Sequence, residues 1–404
     1  MMLRKFFPYY FICFLFIDNL FPFICFYLDI PREGSLFRAY IGSFGVMSTL
    51  FYLGCYRGNK IKCYPLFIGL LLFGCLYLLT STFYDYSNKY YFGQFLRWGA
   101  SCVPATLMGL CIVYDQNRAK IDKSLPFILF IFTPFVALSS LKGSQMYGQF
   151  SDDEAGLNYQ LIAYMMALFF AISLYCLVFA PHLIKNRIIR LGLWACLGVD
   201  AFICLTAGGR GGVILFGVYI FIFAWLLRAK GIVSTVKLIK IIIIAALLFL
   251  VVAEISNIWE YAGFQRAIHP LNQQVGRKDD WQEVLSYYYK SPIFGNGLGS
   301  DFYTWGFYSH NIFVDFLAET GLIGFVILSS IFIWIFRQFY LAIRRDNFYV
   351  LLFLFFINGF VMNCFSGYWI SAWQNWFALG IAYGLSQTRH KSSIKNHNKH
   401  QLLE

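Results

Sequence analysis

Apolar residues run in blocks of roughly membrane-spanning length along nearly the whole chain, and polar residues gather in the short gaps between them. A helix of about 20 apolar residues matches a hydrocarbon core roughly 30 Å thick, so each block predicts a membrane-crossing helix. Twelve are expected, at approximately 6–29, 36–56, 64–84, 92–114, 125–141, 157–180, 189–208, 211–227, 237–255, 311–335, 348–365 and 371–386. One gap breaks the pattern. The segment 256–310, between the ninth and tenth spans, carries Arg266, His269, Arg277, Lys278, Asp279, Asp280, Glu283, Lys290 and Asp301, and it runs into Ser309-His310-Asn311. Connections this long are usually functional or disordered, and the aromatic content here argues against disorder. Within it Trp281, Val284, Leu285 and Tyr288 recur at the spacing of an amphipathic helix, placed at about 278–290. Ser291-Pro292 then ends that helix.

Composition fixes the class. Of 404 residues 59% are hydrophobic and 13% charged, against about 25% charged in soluble domains. The chain therefore reads as one all-α polytopic membrane domain over 1–404. The net charge of +12 does not point to nucleic acid, because most of the 32 lysines and arginines are spread over alternate short loops and the tail 387–404. By the positive-inside rule those loops, the basic tail and both termini are cytoplasmic. The acidic loop Ser151-Asp152-Asp153-Glu154 and the segment 256–310 then face outward. The first block is too long and too aromatic for a cleaved signal peptide. The eleven cysteines lie in or beside spans and suggest small apolar residues, not a disulfide framework or a metal site. No Walker loop, dinucleotide fingerprint or internal repeat is present.

Few residues are left to carry chemistry. Arg210 sits in Thr206-Ala-Gly-Gly-Arg-Gly-Gly212, at the outer mouth of a tight hairpin between the seventh and eighth spans. The glycines would let the backbone turn sharply and approach a ligand, with helix N–H groups beside the guanidinium. A snorkelling arginine at a plain hairpin tip is the alternative. Arg277 lies four residues before Trp281, where it either points toward the membrane domain or pairs with Asp279 or Asp280 at a helix start. Gly295-Asn-Gly-Leu-Gly299 suggests a close backbone approach more than a phosphate loop. His310 stands immediately before the tenth span, and histidine is the side chain best suited to accept a proton at neutral pH; a polar interfacial residue is the bland reading. Asp315 and Glu319 share one face below it and need partners at that depth, either on a neighbouring helix or, for Glu319, as an orienting group beneath the site.

Taken in order, the glycine-flanked arginine, the outward loop with Gly-Arg-x-x-x-Trp, Ser-Pro-Ile-Phe-Gly-x-Gly, and Ser-His-Asn-x-x-x-Asp-x-x-x-Glu-x-Gly-x-Ile-Gly resemble the O-antigen ligase/polymerase superfamily. The motifs lie between about 206 and 324, and the topology of the whole chain fits. The resemblance implies a GT-C-like fold with a large, partly helical periplasmic loop. It also implies a metal-independent glycosyltransferase without a cofactor, in the bacterial inner membrane with its site facing the periplasm. Donor and acceptor would be undecaprenyl-pyrophosphate-linked oligosaccharides, with room for a chain-length regulator as a further partner. Carried over residue by residue, His310 matches the catalytic histidine, and Arg210 and Arg277 match the arginines on the carrier pyrophosphate. Arg266, Trp281 and Tyr308 are secondary substrate-binding candidates. The Gly-Gly-Arg-Gly-Gly form favours a polymerase; a ligase acting on lipid A core or protein, and a lipid-linked glycan transporter without bond chemistry, remain the alternatives.

Overall fold

The computed structural model describes residues 2–27, 35–56, 64–82, 89–115, 118–146, 159–180, 185–255, 257, 259, 275–305 and 308–401. Among these residues there is no strand. The helices are α1 (Met2–Tyr27), α2 (Ser35–Tyr56), α3 (Tyr64–Thr82), α4 (Lys89–Arg97), α5 (Val103–Tyr114), α6 (Arg118–Met146), α7 (Tyr159–Val178), α8 (Arg187–Thr206), α9 (Arg210–Ala229) and α10 (Thr235–Ile255). They continue with α11 (Val275–Tyr288), α12 (Ser300–Trp305), α13 (Ile312–Ile343), α14 (Phe348–Phe365) and α15 (Trp373–Gln401). Each expected span overlaps described helix, the fourth (92–114) being shared between α4 and α5. Helix is what lipid demands, because every backbone polar group must be satisfied within its own segment. Among the described residues, 7 helices are long and apolar enough to cross a membrane.

Among the described residues, regular α-helix is interrupted at a π turn and at a glycine. A π-helical turn, Trp98–Cys102, joins α4 to α5, and Pro104 follows at once in the first turn of α5. Proline has no N–H for the usual bond to residue 100, and the widened turn absorbs the loss. The second interruption corrects the sequence reading of one continuous span at 311–335. α13 breaks at Gly321 (φ 61°, ψ −167°). Its arms then fold toward each other: Phe313 lies 6.4 Å from Phe325 and Phe316 6.0 Å from Phe332, ring to ring. Along a straight helix those pairs would stand about 18 and 24 Å apart.

Contacts group the chain into two compact units. One comprises residues 1–14, 35–118 and 272–404. At its core α5 and α15 pack backbone to backbone, because a side chain at Gly109 or Gly380 would strike the carbonyl of Phe377 or Thr106 respectively. The other unit comprises 15–34 and 119–271, with α7 buried between α8 and α9. Polar pairs cross its interior: Thr133 donates to Asp200 and Tyr175 to Asp122, both at 2.9 Å.

Candidate active site

The turn carrying His310 is built by its immediate neighbours. Asn311 caps α13, its Oδ1 accepting from the backbone N–H groups of Phe313 (3.0 Å) and Val314 (3.4 Å). Ser309 gives both its backbone N–H (3.1 Å) and its hydroxyl (2.5 Å) to Oδ1 of buried Asp315. Asp315 thus serves its own helix cap instead of a neighbouring helix. Between these two anchors His310 is forced to φ 60°, a left-handed conformation that histidine tolerates better than most side chains. It is therefore fixed in a strained turn ahead of the helix and not carried on the helix itself.

The imidazole rests against the Tyr308 ring, centroids 4.4 Å apart, with Nδ1 3.3 Å from the Ser366 carbonyl. The Tyr308 hydroxyl donates to the same carbonyl at 3.2 Å. A carbonyl can only accept, so in this contact the imidazole proton sits on Nδ1.

Glu319 organises the layer beneath. Its carboxylate accepts from Tyr368 (2.5 Å), Trp369 Nε1 (3.1 Å) and the backbone N–H of Gly299 (3.1 Å). Burial, followed by the nearby carboxylates of Glu319 and Asp301, pushes the Tyr368 phenol well above its ordinary pKa, so it stays a donor. Its ring lies 5.4 Å from Tyr308, which links this layer to the histidine. Sequence reasoning weighed Glu319 as paired with a neighbouring helix or as an orienting group, and did not single out Ser366, Tyr368 or Trp369. The available signal was Ser366-Gly-Tyr-Trp-Ile-Ser371, a polar and aromatic interruption between two apolar blocks.

The broken helix explains the glycine run. With α13 interrupted at Gly321, the carbonyls of Ala318 and Glu319 and the N–H groups of Leu322 and Ile323 lose each other as partners. The segment 292–297 replaces them all. Asn296 and Gly297 donate to Ala318 and Glu319 (3.0 and 2.8 Å), while Pro292 and Ile293 accept from Leu322 and Ile323 (2.9 and 3.2 Å). The Asn296 side chain ties in α11, donating to the carbonyls of Tyr287 and Ala318, both at 2.9 Å. Gly295 and Gly321 meet backbone to backbone, both at positive φ, where a Cβ on either would enter the other's main chain.

Trp281, half-buried on α11, donates its indole N–H to the carbonyl of Ser309 at 2.8 Å. That bond joins the loop helix to the histidine turn, so the polar end of Trp281 is engaged by protein. Buried Val284 lies on the same inward stripe, while Gln282, Glu283 and Ser286 face out. α11 begins at Val275, which puts Arg277 in its first turn; Arg266 and His269 lie outside the described residues.

Arg210 belongs to the second unit, where it is the first residue of α9 behind Gly208 at φ 84° and the cap residue Gly209. The flanking glycines have a packing role that the sequence reading did not include. Side chains at Gly209, Gly211 and Gly212 would meet Ala163, Tyr164 and Ala163 on α7, so these glycines let α9 lie tightly against α7. The structure thus gathers Trp281, Tyr308 and His310 within one unit and holds Arg210 in the other.

These features define a helical membrane protein with a strained histidine turn that is capped, braced by a loop helix and underpinned by a buried carboxylate. Residues 193–329, from α8 into α13, match the family model described as O-antigen ligase, consistent with the O-antigen ligase/polymerase superfamily. The match takes in the arginine hairpin, α11 and the histidine turn. No curated protein matches the chain.

Proposed function

We propose that this protein is a surface-polysaccharide polymerase, joining undecaprenyl-pyrophosphate-linked repeat units on the outer face of the bacterial cytoplasmic membrane. The observation that carries the reading is the Ser309-His310-Asn311 turn, lying inside the matched segment with its imidazole held at Nδ1 by the Ser366 carbonyl. A hydroxyl of the acceptor sugar attacks the anomeric carbon of the donor glycan. The bond from that carbon to the pyrophosphate oxygen breaks, and the carrier pyrophosphate departs with the electron pair. His310 takes the hydroxyl proton, a contribution of about 10²–10⁴-fold. Guanidinium groups suit the growing charge on the leaving group, their planar fork matching phosphate oxygens, and Arg210 and Arg277 are assigned to it. An apolar cavity of about 330 Å³ between α3, α13 and α15, lined by Leu66, Leu70, Phe73, Phe332 and Trp376, suits a hydrocarbon tail. Trp369 forms part of its wall and also donates to Glu319.

A second reading, ligation of the glycan to lipid A core, is favoured by the description of the matched family model. Both share the chemistry and differ in the acceptor. Purified protein in lipid nanodiscs, supplied with carrier-linked repeat units, should lengthen them into a ladder of carrier-linked glycans. Transfer of the glycan to added lipid A core, with no lengthening of the carrier-linked units, would establish the ligase instead. Absence of bond formation with either acceptor would leave transport of lipid-linked glycan and overturn both.

A further inference from the structure

The turn that follows α11 exposes large apolar side chains in a place the proposed chemistry does not use. Tyr289 is 74% exposed, Ile293 56% and Phe294 75%. They are held firmly, because Pro292 and Ile293 accept the N–H groups of Leu322 and Ile323 at the break in α13. From that break the long arm of α13 presents one apolar exposed face through Leu322, Ile323, Val326, Ile327 and Ile333. The exposed turn is hydrogen-bonded to the first residues of that face, Leu322 and Ile323. The arm from 322 to 343 rises about 33 Å at 1.5 Å per residue, close to a hydrocarbon core of roughly 30 Å. Its first residues, and the turn bonded to them, therefore fall at the boundary between hydrocarbon and headgroups. Lys290 stands within the turn, its ammonium 4.0 Å from the Tyr287 ring centroid. An aromatic, a cation and two apolar tips fit that boundary layer. On the exposed face of α11, Gln282, Glu283 and Ser286 are polar, so the apolar character begins where the turn begins.

We infer that residues 289–294 form an interfacial anchor, with Ile293 and Phe294 inserted among lipid acyl chains and Tyr289 and Lys290 at headgroup level. The anchor fixes more than the loop. Gly295–Gly299 follows directly and meets Glu319 through Gly297 N–H on its carbonyl and Gly299 N–H on its carboxylate, so the seat of the turn in lipid sets the layer beneath His310. Which leaflet it occupies rests on the orientation in the proposed function; the contact with lipid does not.

The test is photo-crosslinking of the full chain in nanodiscs of phosphatidylethanolamine and phosphatidylglycerol, with p-benzoylphenylalanine at position 294 and, as a control, at 282. Intact mass should show phospholipid adducts at 294 at least tenfold above those at 282. Equal yields, or adducts at 294 to a second copy of the chain in place of lipid, overturn the anchor. The same label at 289 gives the answer if the 294 variant does not fold. Glycan synthesis plays no part in the readout, so failure of the anchor and failure of the proposed reaction are separable.

Discussion

At the residue scale the question is what His310 does that its neighbours do not. Its left-handed backbone complicates the usual alanine test, since alanine at positive φ is itself strained by roughly 1 kcal/mol or more. Asparagine tolerates that conformation and lacks the imidazole, so His310→Asn isolates the proton acceptor. Glycan transfer should fall by about 10²–10⁴-fold with the melting temperature unchanged; a variant that keeps full activity removes His310 from the mechanism. Trp281→Phe keeps an aromatic side chain but removes the indole N–H given to Ser309, together with the pyrrole half of the ring. Loss of one such bond, worth about 1 kcal/mol, should lower kcat several-fold while KM holds, because the brace acts on the histidine turn and not on bound sugar. A rise in KM alone would make Trp281 a sugar platform instead. Arg210→Lys retains charge and loses the bidentate fork, and is expected to recover only a small part of the activity lost in Arg210→Ala. Equal activity of the lysine variant and the wild type would reduce Arg210 to a point charge.

At the scale of elements, the break in α13 and the segment 292–297 are one device, each supplying the hydrogen bonds the other lacks. Gly321→Ala should therefore lower the melting temperature more than an ordinary helical substitution, since it adds a Cβ at positive φ against the main chain of Gly295 and Ile293. An unchanged melting temperature would mean that the interlock is dispensable. At α9 the cost is spatial. Gly211→Ala would collide with the Tyr164 hydroxyl, so adding Tyr164→Phe should restore part of the lost stability. The helices themselves were legible in the chain, because hydrophobic blocks of this length have little choice in lipid. The break was not legible. Glu319-Thr-Gly-Leu-Ile-Gly324 reads as a continuous apolar helix with two small residues, and only the distant segment that replaces its bonds makes the interruption affordable.

At the scale of the whole molecule, the chain's own pattern determined the all-helical membrane class, the approximate position of the long apolar helices and the candidacy of His310. Hydrophobic periodicity is a local property, and a lone histidine at the end of a long polar segment stands out without any fold. Only the tertiary structure decided who serves whom. It turned the glycines around Arg210 toward α7, gave Asp315 to the Ser309 turn, bound Trp281 to that same turn, and set Glu319 among Tyr368, Trp369 and Gly299. The physical reason is common to all four. A buried polar group must find a partner, and a glycine marks a close approach, but neither requirement names its partner until distant segments are brought together.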